Sequence, residues 1–524
     1  MATARQGGLV STPITFGNTS GISVQEILPH ARIIGNNSEK TLAIESCCGH
    51  WEDVQEGDFY VAVVGSQKDG HDHAAAAIAK GATAVVTERL LAIDAPQIIV
   101  PDTRQAYGEI CHRLAGTPST RLTTIGISGS DGKTVTAHLV HSILKADSRE
   151  SGLVSSIEVS LGKNTQSVPN RHINPPLIAE QFSRMVMHQC DHAVVEIPSQ
   201  SLAKRALSGI ELDVAVLTNI RHDPDNFHGN GKNYRRAFLR IIDHLKDTGL
   251  AVLNADDPKS HFLIEKLDSP VLTVGMRQDA NVKAFVIERT VSDQVFMIHA
   301  GGASVPVRTD IIGDHHIYNC LAATAVGLSL GISLQTIAKG LESAGPIPGR
   351  MERVECGQPF GVWVDSANSP SQLANALRTM KQVTTGKVWC VCSTDPLQSE
   401  HQRQLLGEVA EKAAGTTVIT RTSADPMVDY EPIHQVLDGF RHPERAQIIP
   451  NRFKAIEWVL SQAKSGDAVL ISGCGERPFA LVGEHHWTIA DRDVCQAWLY
   501  DNASMIQEQC ERPPGIYNID DYRS

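Results

Sequence analysis

Apolar and polar positions follow one another in blocks along this chain. Short, nearly continuous apolar runs end in polar residues, and between the runs apolar residues recur three and four positions apart, the signature of strands alternating with helices. The runs predict strands over residues 59–64 and 82–87, a strand ending at Ile127, and strands over 192–197, 212–220 and 250–254. After a proline- and glycine-rich stretch at 345–350 (GPIPGR), which reads as a linker, the rhythm restarts at 361–365, 387–392, 416–420 and 467–472. Val135, Leu139, Val140, Ile143 and Leu144 lie at helical spacing behind Lys133. Near-continuous apolar strands alternating with helices imply parallel sheets covered on both faces. The fold class is therefore α/β, in three domains: an N-terminal α/β domain over 1–112, a central P-loop parallel-sheet domain over 113–346, and a C-terminal Rossmann-like domain over 347–524.

Composition narrows the function. With 524 residues, 42% of them hydrophobic, the chain can fill several cores. Its net charge of -12 gives no basic field, which argues against nucleic acid as a partner. The 11 cysteines stand singly or as Cys47-Cys48 and Cys390-x-Cys392, without the paired C-x-x-C spacing of zinc sites, and read as reduced residues. No run reaches 18 apolar residues, and no basic start leads into a long apolar stretch, so no membrane span is expected and the cytoplasm is the predicted location.

The chemistry concentrates at Thr124 to Leu144, a strand, a glycine loop and a helix. Gly129 and Gly132 let the backbone approach a ligand, and free N–H groups at a helix start favour anionic oxygens. Lys133 would reach terminal phosphates, and the Thr134 hydroxyl would sit where magnesium needs a ligand. The general P-loop pattern puts a glycine five residues before Gly132, where this chain has Ile127; its glycines fall at 126, 129 and 132 instead. Glu196, Asn219 and Asp256 close three of the predicted strands, at the carboxyl edge where ligands of such sheets bind. Asp69, His71 and Asp72 are read as a solvated turn rather than a metal set, and Gly473-x-Gly475 lacks the third glycine of a dinucleotide site.

These strings, in this order, resemble the Mur ligase family, and within it the members that build the UDP-N-acetylmuramoyl tripeptide. The resemblance is carried by DVQEGDFYVAVVGSQKDGHDHAAAAIAKGATAVV, GISGSDGKT, VVEIPSQSLA, LDVAVLTNI, AVLNADDP, GDHHIYNCLAATAVGLSLGI, PGRMERV and DSANSP. It implies an ATP-dependent ligase that phosphorylates the carboxylate ending a UDP-N-acetylmuramoyl peptide and then joins it to the amine of an amino acid. It implies that Gly129, Gly132, Lys133 and Thr134 hold the ATP phosphates and Mg²⁺, that Glu196 holds the metal, and that Lys133 and Glu196 are catalytic. Asn319 and Arg350 match adenine-nucleotide positions and Asp365 a ribose contact. No oligomer is implied.

The chain departs from the family where chemistry is done. Asp131 replaces the asparagine of the loop, Ile197-Pro198-Ser199-Gln200 replaces Val-Ser-Ser-His after the strand glutamate, Pro224 stands where the family has a metal-binding histidine, and Phe238 where it has the carbamylated lysine that holds its second magnesium. Met427 stands where the family has an arginine for a second carboxylate, and Glu476-Arg477 where it has His-Glu. A second reading therefore stands beside ligation: a non-catalytic Mur-like protein that binds nucleotide or cell-wall precursor.

Overall fold

Three sheets organise the chain in the computed structural model, which describes residues 21–35, 42–65, 68–167, 173–221, 227–265, 267–394, 398–422, 430–481 and 487–504. The first sheet comprises β1 (Arg32–Ile34), β2 (Cys47–Cys48), β3 (Phe59–Val61), β4 (Ala84–Thr87) and β5 (Gln97–Ile99), in the order β1-β5-β4-β3-β2. Only β1 runs antiparallel. Helices α1 (Ala74–Ala79) and α2 (Thr103–Leu114) accompany it, the second started by Asp102, whose carboxylate accepts the N–H groups of Arg104 and Gln105.

The apolar run expected as one strand over 59–64 leaves the sheet after Val61, because Val63 and Val64 turn to meet the segment that follows: Gly70 N–H bonds to Val63 O at 3.1 Å and Val64 bridges Asp69. This corrects the reading of 69–72 as a solvated turn. His71 is 4% exposed. Its Nε2 accepts the Glu88 N–H at 2.9 Å, which leaves Nδ1 to donate to Asp69 at 2.5 Å. Asp72 faces solvent and Asp69 is partly exposed, so only His71 of the three is buried.

The central sheet begins with β6 (Thr123–Ser128), α3 (Lys133–Ala146) and three strands β7 (Ser151–Val154), β8 (Glu158–Leu161) and β9 (Asn164–Ser167). It continues through α4 (Pro175–Met187), β10 (His192–Glu196), β11 (Leu212–Leu217), α5 (Gly231–Leu239) and β12 (Leu245–Asn254). Then come β13 (Val271–Gly275), β14 (Val282–Arg289), β15 (Gln294–Ala300), β16 (Ala303–Thr309), α6 (Asp314–Ser329) and α7 (Leu334–Glu342). The eleven strands lie in the order β9-β8-β7-β10-β6-β11-β12-β13-β14-β15-β16. From β7 to β14 the pairing is parallel, as the apolar runs predict; β8 and β9 on one flank and β15 and β16 on the other add antiparallel strands. The phosphate-loop strand β6 sits in the middle, where the chain turns from one half of the sheet to the other. That is the switch point at which open sheets bind ligands.

The third sheet contains β17 (Glu352–Arg353), β18 (Gly361–Asp365), β19 (Val388–Thr394), β20 (Thr416–Arg421), β21 (Ala446–Ile448) and β22 (Ala468–Ser472), in the order β17-β18-β22-β19-β20-β21. Its helices include α8 (Pro370–Val383), α9 (Glu400–Ala413), α10 (Arg452–Gln462) and α11 (Asp491–Asp501). Val362, Val364, Val391, Val469 and Ile471 fill one face against Ile456 and Val459 of α10, all fully buried. Beside this core, Arg452 and Asp491 form a fully buried pair, with guanidinium-to-carboxylate bonds of 2.7 and 2.6 Å.

Candidate functional site

The loop between β6 and α3 is held open by its glycines and pinned by the end of β11. Gly129 (φ +139°) and Gly132 (φ +86°) take backbone conformations that disfavour side chains, and neither has room for one: a Cβ would lie 2.0 Å from Thr218 Oγ1 at the first and 2.2 Å from Asn319 Oδ1 at the second. Thr218 and Asn219 do not extend β11, as expected over 212–220, because they leave it to clamp the loop. Asn219 O accepts the Ser130 N–H at 3.0 Å and its Oδ1 the Asp131 N–H at 3.1 Å, while Thr218 Oγ1 and Asn219 Nδ2 donate to Asp131 O at 2.6 and 3.0 Å. Lys133 Nζ folds over the loop onto the carbonyls of Gly129 and Ser130, at 2.9 and 3.0 Å.

Behind the loop lies a buried cluster of oxygens. Thr134 Oγ1 donates to Glu196 Oε2 at 3.0 Å and lies 3.2 Å from Ser156 Oγ; Glu196 Oε2 also accepts the Ser156 N–H at 2.9 Å. Glu196 is 4% exposed and reaches this place because β10 lies beside β6 in parallel register, Glu196 opposite Ile127. Hard oxygen donors of this kind suit Mg²⁺, which binds through one or two carboxylates and completes its shell with water and phosphate. Among the described residues no group of three His, Cys, Asp or Glu side chains could hold a metal by itself.

In front of the loop is a cavity of about 520 Å³, lined by Gly132, Thr134 and Asn319 from the central sheet and by Arg350, Asp365 and Gln372 from the C-terminal part of the chain. The turn that carries Arg350 is stapled to its own sheet. Met351 N–H donates to Asp365 at 2.7 Å, Gly349 N–H to Glu352 at 2.8 Å, and Arg350 Nη1 to Glu476 Oε2 at 2.6 Å and Gly349 O at 3.0 Å. Burial opposes the charge of Arg350, yet Glu476, and behind it Asp365 and Glu196, hold its pKa above the ordinary value. Burial pushes the Asp365 carboxyl up to about 6, against the N–H bonds of Met351 and Ala367 and the charge of Arg350. Burial likewise takes the His315 ring, at another wall of the cavity, down to about 4. Asp256 behaves oppositely: despite burial, the Tyr318 hydroxyl and the N–H groups of Met276, Gln278 and Arg277 keep it below the usual carboxylate range.

Thus Gly132, Thr134, Asn319, Arg350 and Asp365 meet around one cavity, Gly129 and Lys133 form the rim of its loop, and Glu196 backs it through Thr134. Sequence reasoning missed Ser156, Arg221, Tyr318 and Gln372; Tyr318 stands beside Asn319 in one of the quoted strings, whereas the other three are in none and only the fold brings them in. Phe238 is fully buried and packs edge-to-face on Tyr234 at 4.8 Å, so its place belongs to an aromatic core. His228, fixed to Ser199 Oγ at 3.1 Å, lies against the same Tyr234. Pro224, His222 and Met427 lie outside the described residues.

Comparison with known proteins agrees with this geometry along the chain. A model of the Mur ligase middle domain matches residues 127–327, one of the Mur ligase glutamate ligase domain matches 349–475, and one of the Mur ligase family catalytic domain matches 52–114. The UDP-N-acetylmuramoyl-L-alanyl-D-glutamate–2,6-diaminopimelate ligase of Geobacillus kaustophilus is 32% identical over 458 residues, spanning 85% of this chain and 92% of its own. The enzyme of the same name from Geobacillus thermodenitrificans is 31% identical over 451 residues, with 85% and 92% covered. A solved structure of a ligase of that name superposes with a TM-score of 0.67 at 23% identity, covering 92% of this chain and 99% of the other. With its sheets, its phosphate loop and these relatives in agreement, the chain belongs to the Mur ligase family.

Proposed function

We propose that this Mur ligase uses ATP to activate the terminal carboxylate of a UDP-N-acetylmuramoyl peptide and joins it to the amine of an amino acid, in the assembly of peptidoglycan precursor. The observation that carries the proposal is the cavity that the phosphate loop shares with Arg350 and Asp365, backed through Thr134 by the oxygens of Glu196 and Ser156. In this reading Gly129, Gly132, Lys133 and Thr134 bind the phosphates, Asn319 and Arg350 the adenine nucleotide, and Asp365 the ribose. Thr134 and Glu196 would hold one Mg²⁺, which would neutralise charge on the phosphates when bound. Lys133 leaves its loop carbonyls for the terminal phosphate, and Arg350 adds a second cation from the opposite side; such transfer is catalysed by positioning and charge neutralisation. The carboxylate attacks the terminal phosphorus, ADP leaves, and the amine displaces phosphate from the acyl phosphate to form the amide. In the same reading the chain divides at 112/113 and 346/347, the N-terminal part taking the UDP-bearing precursor and the C-terminal part the amino acid. The substrates proposed are those of the cytoplasm.

Phosphate release, measured with UDP-N-acetylmuramoyl-L-alanyl-D-glutamate and a panel of amino acids, tests the proposal. Turnover that needs precursor, ATP and one amino acid together is expected. The aromatic packing at Phe238 favours the second reading, a protein that binds nucleotide or precursor without turnover; binding of both by calorimetry with no phosphate release above background would establish it and sink ligation.

A further inference from the structure

A carboxylate at the tip of a phosphate loop should repel the ligand the loop exists to hold. Like charges close together in a partly desolvated site repel far more than they do in bulk water. Asp131 is such a carboxylate, and the structure shows where its charge goes. Its backbone is fixed on both sides by Thr218 and Asn219, so only rotation of the side chain can move the carboxylate. Oδ1 accepts Gln372 Nε2 at 2.7 Å, and Oδ2 lies 3.1 Å from Arg221 Nε. Gln372 comes from α8, 241 residues away. Its amide is oriented by its own helix: Oε1 accepts the N–H groups of Asn368 and Ser369, each at 3.3 Å, as the third residue of a capping box with Ser369. With its oxygen committed to the cap, its NH₂ is presented to Asp131.

We propose that Gln372, with Arg221, is a positioning residue of the nucleotide site: it holds the Asp131 carboxylate, which lines the same cavity, in a hydrogen bond and an ion pair that offset its charge and make an acidic phosphate loop compatible with an anionic ligand. The inference rests on the reading of the loop as an ATP site. It joins two positions that look unrelated in the sequence. The family's asparagine is missing at 131, and a glutamine amide from the other sheet supplies the donor that the aspartate requires.

ATP-Mg²⁺ titrated calorimetrically into the full chain tests the proposal. Gln372→Ala releases the carboxylate, and the dissociation constant is expected to rise about tenfold, 1.4 kcal/mol. Asp131→Asn in the same chain removes the charge and is expected to bring binding back to within about twofold of wild type, a rescue that loss of the helix cap alone would not allow. Gln372→Glu keeps an acceptor for the cap but opposes Asp131 with a second carboxylate; it serves where Gln372→Ala does not fold, and its larger loss should likewise be suppressed by Asp131→Asn. A wild-type chain that binds ATP while Gln372→Ala and Gln372→Glu bind it equally well overturns this inference alone, as does a loss that Asp131→Asn fails to restore. A wild-type chain that binds no ATP overturns both this inference and the reading beneath it.

Discussion

The carboxyl group of Asp365 gives nucleotide binding a pH dependence that can be calculated in advance. It closes β18, accepts the N–H groups of Met351 and Ala367 at 2.7 Å each, and is pushed up by burial to about 6. Only the ionised form accepts a further hydrogen bond from a ribose hydroxyl while keeping both backbone donors. At pH 7.5 a group titrating near 6 is almost wholly ionised, and at pH 5 it is about one-tenth ionised, so affinity should fall about tenfold between the two. Stability runs the other way. The folded-state value stands above the roughly 3.9 of an unfolded aspartate, so the contribution of this group is full below that value and is lost as pH rises through about 6. The measurement is calorimetric binding of ADP-Mg²⁺ from pH 5 to 8 in wild type and Asp365→Asn. ADP and the other protein groups titrate in both, so the difference between the two profiles isolates Asp365. Wild type should lose about tenfold more affinity than the variant toward pH 5. Parallel profiles would refute the assignment of Asp365 to the ribose.

Two further substitutions probe the metal side and the scaffold. Glu196→Gln keeps the shape but removes the charge that Thr134 and Ser156 address, and should lower kcat about 10² to 10³-fold in the phosphate-release assay; a change below threefold would remove Glu196 from the catalytic set. Arg452→Met leaves Asp491 buried without its partner and should cost about 3–5 kcal/mol in urea unfolding, whereas Arg452→Met with Asp491→Leu should recover most of it. Equal losses in the single and double variants would show that packing rather than charge sets the cost.

The parallel core of the fold was legible because its strands are buried on both faces and read as apolar runs. Residues 361–365 and the start of α3 at Lys133 emerge as the pattern predicts. The flanking strands were less legible: β9 reads Asn-Thr-Gln-Ser and has no apolar run, and the run over 284–287 of β14 leaves Phe285, Val286 and Ile287 exposed, so it does not follow the pattern of strands buried on both faces. Strand ends failed where a residue serves the site instead of the sheet, as Thr218 and Asn219 do. The loop and its followers were visible as a motif, since Gly132, Lys133 and Thr134 are adjacent in sequence. Ser156 and Gln372 were not, because their roles depend on β10 lying beside β6 and on α8 facing the loop from another sheet. His71 misled for a simpler reason: a histidine between two aspartates looks hydrated until Glu88 N–H is found to occupy its second nitrogen.

The guanidinium of Arg350 hydrogen-bonds to Glu476 and Gly349, both on its own side of the cavity, while the phosphate loop belongs to the central sheet. Loop and counter-charge are thus carried by separate sheets, and a nucleotide that bridged them as proposed would act as a gauge of the spacing between those sheets. Its dissociation constant would then report not only what the loop recognises but how the two sheets stand to one another, and substitutions far from the cavity that alter this stance are expected to register first as changes in ATP affinity.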